Sequence, residues 1–120
     1  ADLQPDLRLE GDATACVEPT RALTALDVNT GAASSFAAVL RANMALARLL
    51  PRVLRVKGLG GQIVLDLAPM AKKDRRGFET ALRANLRRDG VDTVLAGWTP
   101  LGNYELQRKR ARQPLHEVLG

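Results

Sequence analysis

The sequence predicts an α/β fold: a mixed β-sheet of about five strands with two main helices. Three observations carry that prediction. Apolar runs of strand length, bounded by turn residues, occur at Thr14 to Glu18, Ala22 to Val28, Gln62 to Leu67, Val91 to Trp98 and Asn103 to Lys109. Two longer stretches repeat apolar residues at helical spacing. The resulting order, β-β-α-β-α-β-β, interleaves the two kinds of element, as layered α/β domains do. At 120 residues the chain is one domain. It divides into residues 1–12, a polar N-terminal loop or weak strand, and the folded body, residues 13–120.

Pro19-Thr20 turns the first strand into the second, so the pair reads as a hairpin, and Asn29-Thr30-Gly31 closes it. Ser34 or Ser35 is the N-cap of the first helix, whose inward stripe is Phe36, Val39, Leu40, Asn43, Ala47, Leu50 and Leu54. Pro51 has no N–H to donate, so it is expected to kink that helix or divide it from a last turn near Val53. Gly58 stops it. The unbroken Ile63-Val64-Leu65 predicts a central strand covered on both faces. Asp74 is the expected cap of a second helix from Arg75 to about Arg88, with Phe78, Ala81, Leu82, Asn85 and Leu86 inward and Gly90 at its end. Thr99-Pro100 breaks the fourth strand from the fifth, and residues 113–120 read as one helical turn.

Composition narrows the function classes. With 46% apolar and 26% charged residues the composition is that of a globular protein and argues against disorder. A net charge of +5, carried mostly by arginine, favours polyanionic partners, chiefly nucleic acid. Aromatics at 3% argue against a broad base-stacking platform. A single cysteine excludes an internal disulfide, and Cys16 reads as a small buried hydrophobe. No segment is long and apolar enough for a membrane span and no secretory signal is visible, so the expected location is cytoplasmic. The chain opens on Ala1 rather than Met, which suggests a piece of something longer.

Two strands end at an aspartate, Asp27 and Asp66. An ionised carboxylate near a sheet core is costly without a cation, and two side by side also repel. A hard divalent cation with oxygen ligands resolves both problems. Asn29, two residues on, shares a strand face with Asp27. The bland alternative is that Asp27 and Asn29 only hydrogen-bond the following turn. Two basic clusters, Lys72, Lys73, Arg75 and Arg76, and then Arg108, Lys109, Arg110 and Arg112, are either solvated faces or phosphate ligands. The first follows the Asp66 strand. The lone His116 has no evident partner for a nucleophilic triad, and no P-loop, dinucleotide fingerprint or zinc-ligand spacing occurs.

The segment from Glu18 to Gly31, reading EPTRALTALDVNTG, resembles the motif that opens the catalytic subdomain of the ribonuclease E/G family. Leu59 to Leu67 resembles that family's second aspartate motif, Asn43 to Arg48 its intervening helix, and Leu101 to Arg110 its closing strand. The likeness covers roughly Thr14 to Leu119. It implies a DNase I-like subdomain over residues 13–120 in which Asp27 and Asp66 bind Mg²⁺, or Mn²⁺ in its place, with Asn29 supporting them. The implied reaction is hydrolysis of single-stranded RNA to leave 5′-phosphate products. Arg108 and Arg110, with Lys109, Arg112, Lys72 and Lys73, would then lie along the RNA backbone.

Departures from the family pattern are visible as well. The stretch after Asn29 is short, Ala68-Pro69 stands where relatives carry a further aspartate, and no C-x-x-C follows His116, so no zinc is expected. An upstream RNA-binding part would have to come from a longer chain. Two other readings stand beside the nuclease: a non-catalytic RNA-binding or scaffold domain, and a structural module with Trp98 and Tyr104 near an exposed edge.

Overall fold

The computed structural model describes residues 6–31 and 34–110. Its elements run β1 (Leu7–Arg8), β2 (Thr14–Pro19), β3 (Thr24–Asn29), α1 (Phe36–Lys57), β4 (Gly61–Asp66), α2 (Lys72–Asp89), β5 (Thr93–Trp98) and β6 (Tyr104–Arg108). The short β1 lies in the segment expected to be loop or weak strand and brings the sheet to six strands, ordered β1-β2-β3-β4-β6-β5. The expected hairpin is β2 and β3, antiparallel from Thr14↔Asn29 to Pro19↔Thr24. Parallel strands need a long crossover, and α1 supplies it between β3 and β4. Strand β6 returns antiparallel to β4 and inserts between β4 and β5. The helical turn expected over 113–120, with Arg112 and His116, lies outside the described residues.

Burial alternates along the strands, and one face of the sheet carries the core. Ala15, Val17, Leu26, Val28, Ile63, Leu65, Tyr104 and Leu106 point to it, against Leu46, Leu50 and Leu54 of α1 and Phe78, Leu82 and Leu86 of α2. The other face presents Cys16, Glu18, Ala25, Asp27, Asn29, Gln62, Val64 and Asp66, half-buried or exposed. The expectation that β4 is covered on both faces is therefore corrected. Val64 belongs in the strand because β-branched residues fit a pleated backbone, without needing a second layer over them. Cys16 is corrected too: it is half-buried on the open face, opposite Asp27 in the β2–β3 register.

Ser35 caps α1, its Oγ accepting from the Ala38 N–H at 3.1 Å. Phe36, expected to face the core, is 89% exposed, because the buried stripe of α1 begins only at Ala42. Pro51 does not divide the helix, which runs unbroken to Lys57. A proline leaves the carbonyl four residues earlier without its N–H donor, here that of Ala47. The Asn85 side-chain amide, from α2, donates to that oxygen at 3.0 Å. Gly58, at φ 66°, ends the helix in the left-handed region, and the Leu59 N–H closes back on the Leu54 carbonyl at 2.8 Å. Helix α2 starts three residues earlier than expected: Ala71 is its N-cap with no side-chain acceptor, and Asp74 sits inside the first turn. A carboxylate is still favourable there, near the positive end of the helix dipole.

Candidate active site

Asp27 and Asp66 are the last pair in the parallel β3–β4 ladder, directly opposite each other. Neighbouring strands stand about 4.8 Å apart, and residues in parallel register project from the same face. Two carboxylates separated by 39 positions in the chain thus meet on the open side of the sheet, at the C-terminal ends of two strands, where α/β sheets commonly hold ligands. Partial burial pushes the Asp27 carboxyl above its ordinary value of 3.8, and the negative charges of Asp66 and Glu18 push the same way. Glu18 reaches this neighbourhood from β2, two residues beyond Asp27's partner Cys16. Asn29 ends β3 on the same exposed face.

The segment after Asp66 is fixed from below. Asn43 of α1 is fully buried; its amide donates to the Ala68 carbonyl at 2.8 Å, and its Oδ1 accepts from the Ala68 N–H at 3.1 Å. One side chain satisfies both backbone groups of a residue two positions past the carboxylate. An asparagine inside an apolar helical stripe was the visible sign of that role.

The basic residues separate into two places. Lys72 and Lys73, exposed, open α2 at the end of the sheet where Asp66 lies. Arg108, Lys109 and Arg110 gather at the other end: Arg108 pairs with Gly61, five residues back along β4, or roughly 17 Å at strand rise. Arg108 is also only 4% exposed, turned to the helical side, with its guanidinium 2.6 Å from Asp89. The expectation that Arg108 meets an RNA backbone is corrected on that ground. Arg112 lies outside the described residues.

Beside Asp66 a cleft of about 230 Å³ opens between the β4–α2 and β5–β6 connections, bordered by Asp66, Met70, Arg75, Trp98, Gly102 and Asn103. Trp98 closes β5, the edge strand of the sheet, whereas Tyr104 lies on the interior strand β6. Both rings pack on Phe78, at 5.8 and 6.0 Å between centroids, and Tyr104 is fully buried with its hydroxyl donating to Glu79. Burial and that carboxylate together hold the Tyr104 hydroxyl protonated far above neutral pH.

No group of three or more His, Cys, Asp and Glu side chains suited to a metal occurs among the described residues. The oxygen donors at hand are the two aspartates and the Asn29 amide, a sparse, hard set. Mg²⁺ suits such a set, because it keeps several waters and takes one or two carboxylates plus substrate phosphates.

The family model for the ribonuclease E/G family matches residues 2–111. The chain belongs to the ribonuclease E/G family. Within that family it is 32% identical over 122 residues to Ribonuclease G of Salmonella typhimurium, which covers 98% of this chain and 25% of the relative. Ribonuclease E of Synechocystis is 35% identical over 123 residues, covering 98% of this chain and 18% of the relative. Ribonuclease G of Escherichia coli K12 is 31% identical, with the same coverage as the Salmonella protein. This ribonuclease E/G chain thus spans about a quarter or less of the curated relatives it matches. No helix among the described residues is long and apolar enough to cross a membrane.

Proposed function

We propose that this chain is the catalytic part of a metal-dependent endoribonuclease that hydrolyses single-stranded RNA and leaves 5′-phosphate ends. The observation that carries the proposal is the direct opposition of Asp27 and Asp66 on an open sheet face. Family membership supplies the substrate class. In this reading Asp27 and Asp66 hold one Mg²⁺, or Mn²⁺ in its place. Such an ion lowers the pKa of a bound water and offsets charge on a phosphate. The burial and the carboxylate repulsion that together raise the Asp27 pKa give the pair a reason to prefer an occupied site.

The chain's own residues do the rest. Asn29 orients by hydrogen bonding from the strand end, and Asn43 keeps the Asp66 connection from shifting through its two bonds to Ala68. The open face beside the two aspartates carries Cys16, Ala25 and Val64, short side chains that let a flat backbone approach the carboxylates closely. Lys72 and Lys73 supply sequence-independent phosphate contacts at that end. An upstream RNA-binding part of a longer chain would add affinity, and the location proposed is the cytoplasm.

Asp27→Asn and Asp66→Asn separate catalysis from binding. Each is expected to lower Mg²⁺-supported cleavage of a single-stranded RNA by at least about a hundredfold, while RNA affinity stays within a few fold. Cleavage that persists in both variants, or that is indifferent to EDTA, contradicts the assignment. RNA binding by wild type and both variants with no cleavage by any would mark a binding module instead.

A further inference from the structure

The Asp66 cleft contains an arginine whose placement the carboxylate pair does not explain. The Arg75 guanidinium lies 4.8 Å from the centroid of the Trp98 ring. That ring is itself wedged against Phe78 and Tyr104, with centroids at 5.8 and 5.0 Å. The β5–β6 turn walls the other side, held by Gly102 N–H to Thr99 O at 2.9 Å and Asn103 N–H to Thr99 Oγ1 at 3.0 Å. Gly102 stands at φ 88°, and a Cβ there would come within 3.4 Å of an Arg75 terminal nitrogen. The guanidinium therefore lies between the Trp98 ring and the Gly102 turn. Among the described residues no carboxylate comes within ion-pair distance of it.

An arginine stacked on an aromatic face without a protein counter-ion, in a cleft that Asp66 also borders, fits a planar oxyanion partner. We infer that this cleft binds a backbone phosphate of the RNA next to the one facing Asp27 and Asp66, with Arg75 as its ligand and Trp98 as the platform that positions Arg75. The inference rests on the ribonuclease reading and adds a subsite to it. A base in the cleft is less favoured, because the Trp98 face is already occupied by Arg75. A phosphate contact carries no sequence preference, whereas a base contact would.

The test measures Kd for a fluorescein-labelled single-stranded oligouridylate across a series of KCl concentrations, in an Asp27→Asn background that prevents cleavage. Loss of one phosphate contact to single-stranded nucleic acid reduces the slope of log K against log salt by ~0.7. Arg75→Gln is expected to show that reduction and a severalfold weaker Kd, with Arg75→Lys restoring the slope. Trp98→Leu is expected to weaken binding while leaving the slope in place. An unchanged slope in Arg75→Gln, with the parent chain still binding RNA, overturns the subsite and leaves the nuclease reading standing. Weaker binding that merely follows a lowered thermal midpoint, without rescue by lysine, assigns Arg75 a structural role and overturns it too. Absence of RNA binding by the parent chain at low salt removes the nuclease reading itself.

Discussion

Asp27 is in tension with the fold that holds it. Its native pKa lies above the unfolded value of 3.8, through partial burial first and then Asp66 and Glu18. The native state therefore binds that proton more tightly than the unfolded chain does. Stability contributed by the neutral carboxyl is present in acid and is lost as pH rises through the native value. Asp27→Asn, which removes the charge, is expected to raise the unfolding free energy at neutral pH by no more than about 1 kcal/mol, since the site is solvent-facing. The gain should vanish below pH 3.8; urea titrations at the two pH values check it. A functional group that weakens its own scaffold is a familiar trade.

At this same scale the sequence was partly readable. Asp27 and Asp66 stood out because each interrupts an apolar strand. Glu18 carries no such signal, because only the β2–β3 register brings it near Asp27. Arg108 sits in a run of charged residues that masks its period-two alternation with Tyr104 and Leu106 on the buried face.

Among the elements, the pairing of α1 and α2 depends on a defect in one and its repair by the other. Pro51 orphans the Ala47 carbonyl and Asn85 satisfies it. Asn85→Ala is expected to cost about 1–2 kcal/mol, the penalty for an unsatisfied buried acceptor. With Pro51→Ala in place, the helix regains its own N–H donor and the same substitution should cost much less. A double-mutant cycle by chemical denaturation measures that coupling. The proline rule expects a broken helix from the sequence because it counts only local hydrogen bonds. The repairing amide lies 34 positions further along the chain and becomes a neighbour only once both helices share the sheet.

Across the whole molecule, the sheet separates its two ends. One end carries Asp27, Asp66 and the Arg75 cleft. The other is tied by Asp89, 1% exposed at its side chain, between Arg108 and Arg55, each at 2.6 Å. Removing the acid from a buried ion pair leaves an uncompensated charge, so Asp89→Ala is expected to cost roughly 3–5 kcal/mol. Residual cleavage should then scale with the folded fraction, with no change in metal requirement, which unfolding curves and activity on one sample can verify. Element order and the two-helix, one-sheet composition were legible from periodicity. The insertion of β6 between β4 and β5 was not, because strand order is set by long-range pairing. The open face was also hidden: apolar β-branched runs do not say how many layers cover them.

The arrangement at the β3–β4 end is tested most directly by crystals of the chain grown in Mn²⁺ and examined for anomalous scattering. A single peak between the Asp27 and Asp66 carboxylates, absent from the doubly substituted Asp27→Asn, Asp66→Asn chain, is the expected result. A manganese bound elsewhere, or carboxylates left bare at saturating metal while RNA is still cut, would contradict it.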